Sequence, residues 1–348
     1  MQQTRKKHRG GCVLSVLIIG IAGVLSALEI YHDMVCNIVS KDGEKHGYYI
    51  YPDTPMDSLM GWIENDYDVA SKGSITRYRH YTKKTAINPG YYELGSRVSN
   101  RSLIGRLHQG RQTPVQLRFT NQIRTVSQLA ARMGKVLMLD SADIAERLES
   151  ASYMQQFGLN KATAICLFIP NTYEVYWTIS PDDLFARMYK EYNRFWTDER
   201  KQLAQALHLT PTEVSTLASI VESETHNTKE HPVIASLYLN RLRKGMPLQA
   251  CPTVIFATGD FSLQRVNKSH LQIASPYNTY KNLGLPPGPI RCANGATMDA
   301  VLRAPKTNYL YMCANADWSG THVFSATYSD HERAAVAYRR ELNRRHIK

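Results

Sequence analysis

The chain has 348 residues, enough for two domains or three small ones with a real core. Its formal net charge of +12 raises nucleic acid as a partner class. Part of that charge is local, however, with Arg5, Lys6, Lys7 and Arg9 at one end and Arg339, Arg340, Arg344, Arg345 and Lys348 at the other, and no nucleic-acid motif goes with it. The six cysteines (Cys12, Cys36, Cys166, Cys251, Cys292, Cys313) form no C-x-x-C and no zinc-like spacing with histidine, so neither metal nor cofactor is expected. They read as buried small hydrophobes, with a disulfide among Cys251, Cys292 and Cys313 left open.

Residues 1–9 form a basic tail, and Gly10 to Leu28 carry no charge. Nineteen helical residues span about 28 Å, close to the hydrocarbon thickness of a bilayer. A transmembrane helix over 10–31 is expected, with the basic tail in the cytoplasm and the rest of the chain outside. A cleaved signal peptide is the competing reading, but the exit Leu25-Ser26-Ala27-Leu28 lacks the A-x-A pattern of a cleavage site.

From residue 45 to 115 the pattern is strand, turn and helix. Tyr48 to Tyr51 and Gly90 to Leu94 read as strands, Thr54-Pro55-Met56-Asp57 starts a helix, and Ser99 caps another that Gly110 ends. A connecting region over 116–160 holds a strand at Val115 to Phe119 and helices after Thr125 and Asp140. A larger domain over 161–340 begins with an apolar strand at Ala164 to Ile169 and a capped helix from Pro181. The fold class is therefore α+β: one N-terminal helix, a small module, and a larger α+β domain.

That larger domain is organised around Leu217 to Asn240. Thr210-Pro211-Thr212-Glu213 has the form of a capping box with proline at the first helical position. Val214, Leu217, Ala218 and Val221 then make one apolar face. Glu222 falls on one edge of that stripe and Glu224 on the other, about 200° further round. Two carboxylates so placed cannot close on one bond, so the helix offers a single acid.

Several segments in order carry a resemblance. They are Ala218 to Thr225 (ASIVESET), Ala235 to Leu242 (ASLYLNRL), Gly245-Met246-Pro247-Leu248-Gln249 with Pro252-Thr253-Val254, Tyr277-Asn278-Thr279-Tyr280, and Gly284 to Ile290 (GLPPGPI). Pro170-Asn171-Thr172-Tyr173 lies upstream, and His322-Val323-Phe324-Ser325 and His331 lie downstream. Together they resemble the YceG-like endolytic murein transglycosylases over about residues 45–340. One departure stands out, because Cys251 occupies the position of the family's usual aspartate before Pro252.

The resemblance implies a LysM-like module at 45–115, with a plain spacer as the equal alternative. It also implies a membrane-anchored enzyme that cuts nascent peptidoglycan on the extracytoplasmic side, alongside the synthases. Glycosidases normally need two carboxylates. N-acetylmuramic acid supplies its own nucleophile, the C6 hydroxyl, so one glutamate suffices. Glu222 is the expected catalytic residue and Glu224 a structural or electrostatic neighbour. Asn240, Gln249, Thr253, Asn278 and Tyr280 are the expected substrate contacts, and His322 and His331 are read as structural. The alternatives are a hydrolytic muramidase and a non-catalytic glycan-binding scaffold.

Overall fold

The structure, a computed structural model, describes residues 7–263 and 265–345, with side chains from Leu14 onward except at position 72. Arg5, Lys6 and Lys348 of the basic ends lie outside the described residues, as do the side chains of Lys7, Arg9 and Cys12. The chain divides into two compact units, Met1–Val115 with Glu174–Thr178, and Gln116–Tyr173 with Ile179–Lys348.

In the first unit, the apolar segment forms α1 (Lys7–Val35). Its stretch Leu14–Val35, 22 residues of mean hydropathy 2.1, is long and apolar enough to cross a membrane. The foot of α1 is tied down by Asp33, which is fully buried. Arg77 donates to both Asp33 carboxylate oxygens at 2.8 and 2.6 Å, and the Asn100 amide donates to the Asp33 carbonyl at 2.8 Å.

Beyond α1 come β1 (Asn37–Ser40), β2 (His46–Ile50), α2 (Met56–Asp66), β3 (Tyr67–Val69), α3 (Lys72–Thr82), β4 (Gly90–Leu94), β5 (Arg97–Ser99) and α4 (Asn100–Gln109). Strand β1 is central in an antiparallel sheet ordered β3-β1-β5, while β2 pairs antiparallel with β4 and sets Tyr49 opposite Tyr91. Alternation sends Tyr48, Ile50, Tyr92 and Leu94 inward against Leu59, Ile63, Tyr67 and Ile75. Ser99 caps α4, and Gly110 ends it in the left-handed region at φ 64°. The segment Glu174–Thr178 brings Trp177 onto the outer face of β2, where its ring lies 5.1 Å from Tyr49 and 4.8 Å from Tyr51.

Next along the chain are β6 (Val115–Arg118), α5 (Val126–Val136), α6 (Ser141–Glu149), α7 (Ala151–Gln155) and β7 (Thr172–Val175), which pairs with β6. The apolar run expected as a strand at 164–169 is instead a buried 3-10 turn over Ala164–Leu167. A short apolar run reads alike as buried strand or buried helix, and the difference lies in the partner it finds.

The helices α8 (Pro181–Phe195), α9 (Asp198–Ala206), α10 (Pro211–Glu224), α11 (His231–Arg243), α12 (Cys251–Thr258) and α13 (Gly295–Leu302) follow. The hairpin β8 (Tyr311–Ala314) and β9 (His322–Ser325), with α14 (Tyr328–Arg344) packed on it, completes the second unit.

Helix α10 is the hub of this unit. Thr210 and Glu213 form the expected capping box. The one-sided burial expected for it is replaced by burial all round, because α9, α11, α12 and α13 all pack on it. Ser215, Thr216 and Ser219 are buried with it, each hydroxyl bonded to a carbonyl of the preceding turn. Cys36, Cys166, Cys251, Cys292 and Cys313 are all free thiols.

Candidate active site

The two glutamates near the end of α10 meet different surroundings. Glu222 is 6% exposed and both of its oxygens accept hydrogen bonds. The Asn121 amide donates to Oε1 at 2.9 Å, the Asn294 backbone N–H donates to Oε2 at 3.1 Å, and the Asn294 side-chain amide also donates to Oε1. Three N–H donors closing on one carboxylate make a structural joint, linking α10 to the loop after β6 and to the start of α13. That is a poor setting for a group that must hand over a proton.

Glu224 lies on the wall of a cleft of about 310 Å³. The Tyr238 hydroxyl of α11 donates to its Oε1 at 2.6 Å. Burial raises the Glu224 carboxyl above its ordinary range, opposed in part by that hydrogen bond and by His322. Tyr238 is driven well above its usual value by burial and by the glutamate it faces.

The rest of the cleft is assembled from separate stretches of chain. Arg241 stands three residues after Tyr238 on the same face of α11. It donates to the Leu248 carbonyl at 3.0 Å and to Gln249 Oε1 at 2.8 Å. Gln249 sits at φ 53°, held by its backbone bond to the Thr279 carbonyl at 3.1 Å. Cys251 opens α12 and places its thiol 3.2 Å from the Tyr280 hydroxyl. Burial raises Cys251 and Tyr280 and lowers Arg241. Tyr311 and His331 close the far side with rings stacked 5.4 Å apart. Among the described residues lining this cleft, Glu224 is the one carboxylate. Two polar atoms there, Arg241 Nε and His331 Nδ1, are buried without a hydrogen-bond partner.

The expected substrate contacts divide. Gln249 and Tyr280 line the cleft. Asn240 does not, because its amide donates to the Thr307 carbonyl at 2.9 Å and the Tyr309 carbonyl at 3.0 Å. Asn278 is fully buried and clamps the Leu271 and Ile273 carbonyls at 3.0 and 2.9 Å. Thr253 is fully buried within the first turns of α12 and bonds the Ala250 carbonyl and the Thr279 hydroxyl. These three hold the loops that carry Gln249 and Tyr280. His322 pairs with Glu230, its Nδ1 3.0 Å from Oε2. Sequence reasoning passed over Tyr238, Arg241, Tyr311 and the cleft side of Glu224. The one local signal was the i, i+3 spacing of Tyr238 and Arg241 on α11.

Comparison with known proteins places the chain among relatives. An endolytic murein transglycosylase of Bacillus subtilis is 28% identical over 338 residues, covering 90% of this chain and 91% of that protein. One from Streptococcus pneumoniae is 26% identical over 289 residues, covering 74% of this chain and 51% of that longer protein. The crystal structure of a YceG-like protein from Listeria monocytogenes superposes with a TM-score of 0.57 at 27% identity, covering 83% of this chain and 98% of that one. The model of the YceG-like family matches residues 49–337, and the chain belongs to that family.

Proposed function

We propose that this protein is a lytic transglycosylase that cleaves the MurNAc–GlcNAc bond of peptidoglycan, with Glu224 rather than Glu222 as its acid and base. The observation that carries the reading is the convergence on Glu224 of residues from separate sequence motifs: Tyr238 and Arg241, Gln249 and Cys251, Tyr280, and His331. The relatives named as murein transglycosylases supply the substrate class.

Chemically, a carboxyl whose burial favours its protonated form suits a general acid. Tyr238 donates to Oε1, which leaves Oε2 to carry the proton. It passes to the glycosidic oxygen as the bond from C1 of MurNAc breaks, and the GlcNAc O4 leaves as a hydroxyl. The carboxylate then takes the C6 hydroxyl proton while that oxygen bonds to C1. A 1,6-anhydroMurNAc end results, no water is consumed, and Glu224 is protonated again. A single carboxylate in the cleft matches this route better than the two-carboxylate hydrolytic one. Arg241 Nε is a donor without a described partner, and His331 Nδ1 is a second polar atom without one.

The segment Leu14–Val35 anchors the chain in the membrane, with the remainder on the extracytoplasmic side. The first unit acts as a LysM-like glycan-binding module. From that position the enzyme cuts nascent strands internally and limits their length beside the synthases. Mass spectrometry of uncrosslinked glycan strands digested by the full chain tests the reaction class. Shorter strands ending in 1,6-anhydroMurNAc support it; reducing MurNAc ends would make the protein a hydrolase, and binding without cleavage a scaffold.

A further inference from the structure

The amides that hold Glu222 also line a second cleft of the same unit, of about 560 Å³. Arg118, Asn121, Gln122, Asn171 and Asn294 supply its polar lining. Glu222 and Glu224 point about 200° apart around α10, so this opening lies on the other flank of the helix from the catalytic cleft.

Its hydrogen-bonding character is set by Glu222. A carboxylate only accepts, so the Nδ2 groups of Asn121 and Asn294 must both face it. That fixes which end of each carboxamide is left over. Among the described residues, none donates to either Oδ1. Asn171 is fixed the other way, because its Oδ1 accepts from the Thr172 backbone at 2.8 Å and its Nδ2 is left over. Arg118 is exposed, with no described partner for its guanidinium. The cleft therefore offers two oriented acceptors, an amide donor and a cation.

A ligand that matches must donate through hydroxyl or amide N–H groups and accept through a carbonyl. We propose that this cleft is a saccharide subsite for an N-acetylhexosamine unit, separate from the catalytic cleft. Sugar hydroxyls and the acetamido N–H donate to Asn121 and Asn294, and the acetamido carbonyl accepts from Arg118 or Asn171. The choice of sugar rests on the glycan-cleaving function above, while the arrangement of donors and acceptors does not.

The test uses the full chain in detergent micelles and a diazirine-bearing N,N′-diacetylchitobiose, with crosslinked peptides mapped by mass spectrometry. Crosslinks are expected in 118–122 or 170–172, or at Asn294. Asn121→Leu and Arg118→Ala should each lower their yield at least fivefold while crosslinks near Gln249 and Tyr280 persist. Arg118 is on the surface, so its variant reports on binding even if Asn121→Leu folds poorly. Glu222→Gln, which lets both carboxamides flip, should act in the same direction. Crosslinks confined to the catalytic cleft, or an unchanged yield in both variants, would overturn the proposal. Failure of the glycan-cleaving reading would appear separately, as strands left uncut by wild type.

Discussion

Replacing Tyr238 by phenylalanine removes one hydroxyl from a residue that is 2% exposed. The lost bond is the 2.6 Å donation to Glu224 Oε1. A hydrogen bond to a charged group contributes about 1.5–3 kcal/mol, and one to a neutral group about 1 kcal/mol. The ionised carboxyl therefore loses about 1 kcal/mol more than the protonated one, which at 1.36 kcal/mol per pKa unit raises Glu224 by about one unit. A general acid works while protonated, so activity falls as pH rises through its pKa, and the alkaline limb in Tyr238→Phe should move up by about one unit. The assay is the initial rate of anhydro-end formation against pH at sub-saturating strand concentration. A limb that stays in place or moves to lower pH would refute the reasoning.

The pH dependence of stability gives an independent reading of the same carboxyl. Its folded pKa lies above the ordinary 4.5, so its contribution to folding is complete below that pH and is lost as pH rises through the folded value. Glu224→Gln should therefore gain in melting temperature relative to wild type as pH rises from about 4.5, and a constant difference would contradict the raised pKa. At Gly288 an added Cβ would lie 1.9 Å from the Ala162 carbonyl oxygen and 2.6 Å from its carbon. Backbone must move to admit it, so Gly288→Ala should cost about 2 kcal/mol and lower the melting temperature by about 4–8 °C; an unchanged melt would deny that contact. Thr210→Ala removes the cap of α10 and should cost about 1 kcal/mol, seen as a drop of a few degrees in the same melt.

What could be read from the sequence follows from how local each feature is. The capping box at Thr210, the Ser99 cap and the left-handed Gly110 are set by a few neighbouring residues, and the structure has all three. Strands β3 and β5 are three residues each and exist because β1 lies between them, a pairing across tens of residues that no local pattern announces. The run at 164–169 had the composition of a strand but forms a buried 3-10 turn over Ala164–Leu167.

The two glutamates show the same limit. Helical geometry put them on opposite edges of α10, but which glutamate itself lines a cleft depends on where α11, α12 and the Thr279 loop arrive. Asn240, Thr253 and Asn278 stand in the same motifs as Arg241, Gln249 and Tyr280 respectively, yet they face inward and brace the loops. Residues that shape a cleft and residues that line it therefore alternate along one stretch of sequence.

The most direct test of the account compares Glu224→Gln with Glu222→Gln in the full chain, by the rate at which each forms 1,6-anhydroMurNAc ends on uncrosslinked strands. Loss of a general acid lowers a rate about 10²–10⁴-fold, so Glu224→Gln should fall by that much. Glu222→Gln, which alters a structural joint, should stay within about tenfold of wild type, a loss of about 1.4 kcal/mol. The reverse order, with Glu222→Gln inactive and Glu224→Gln close to wild type, would contradict the assignment.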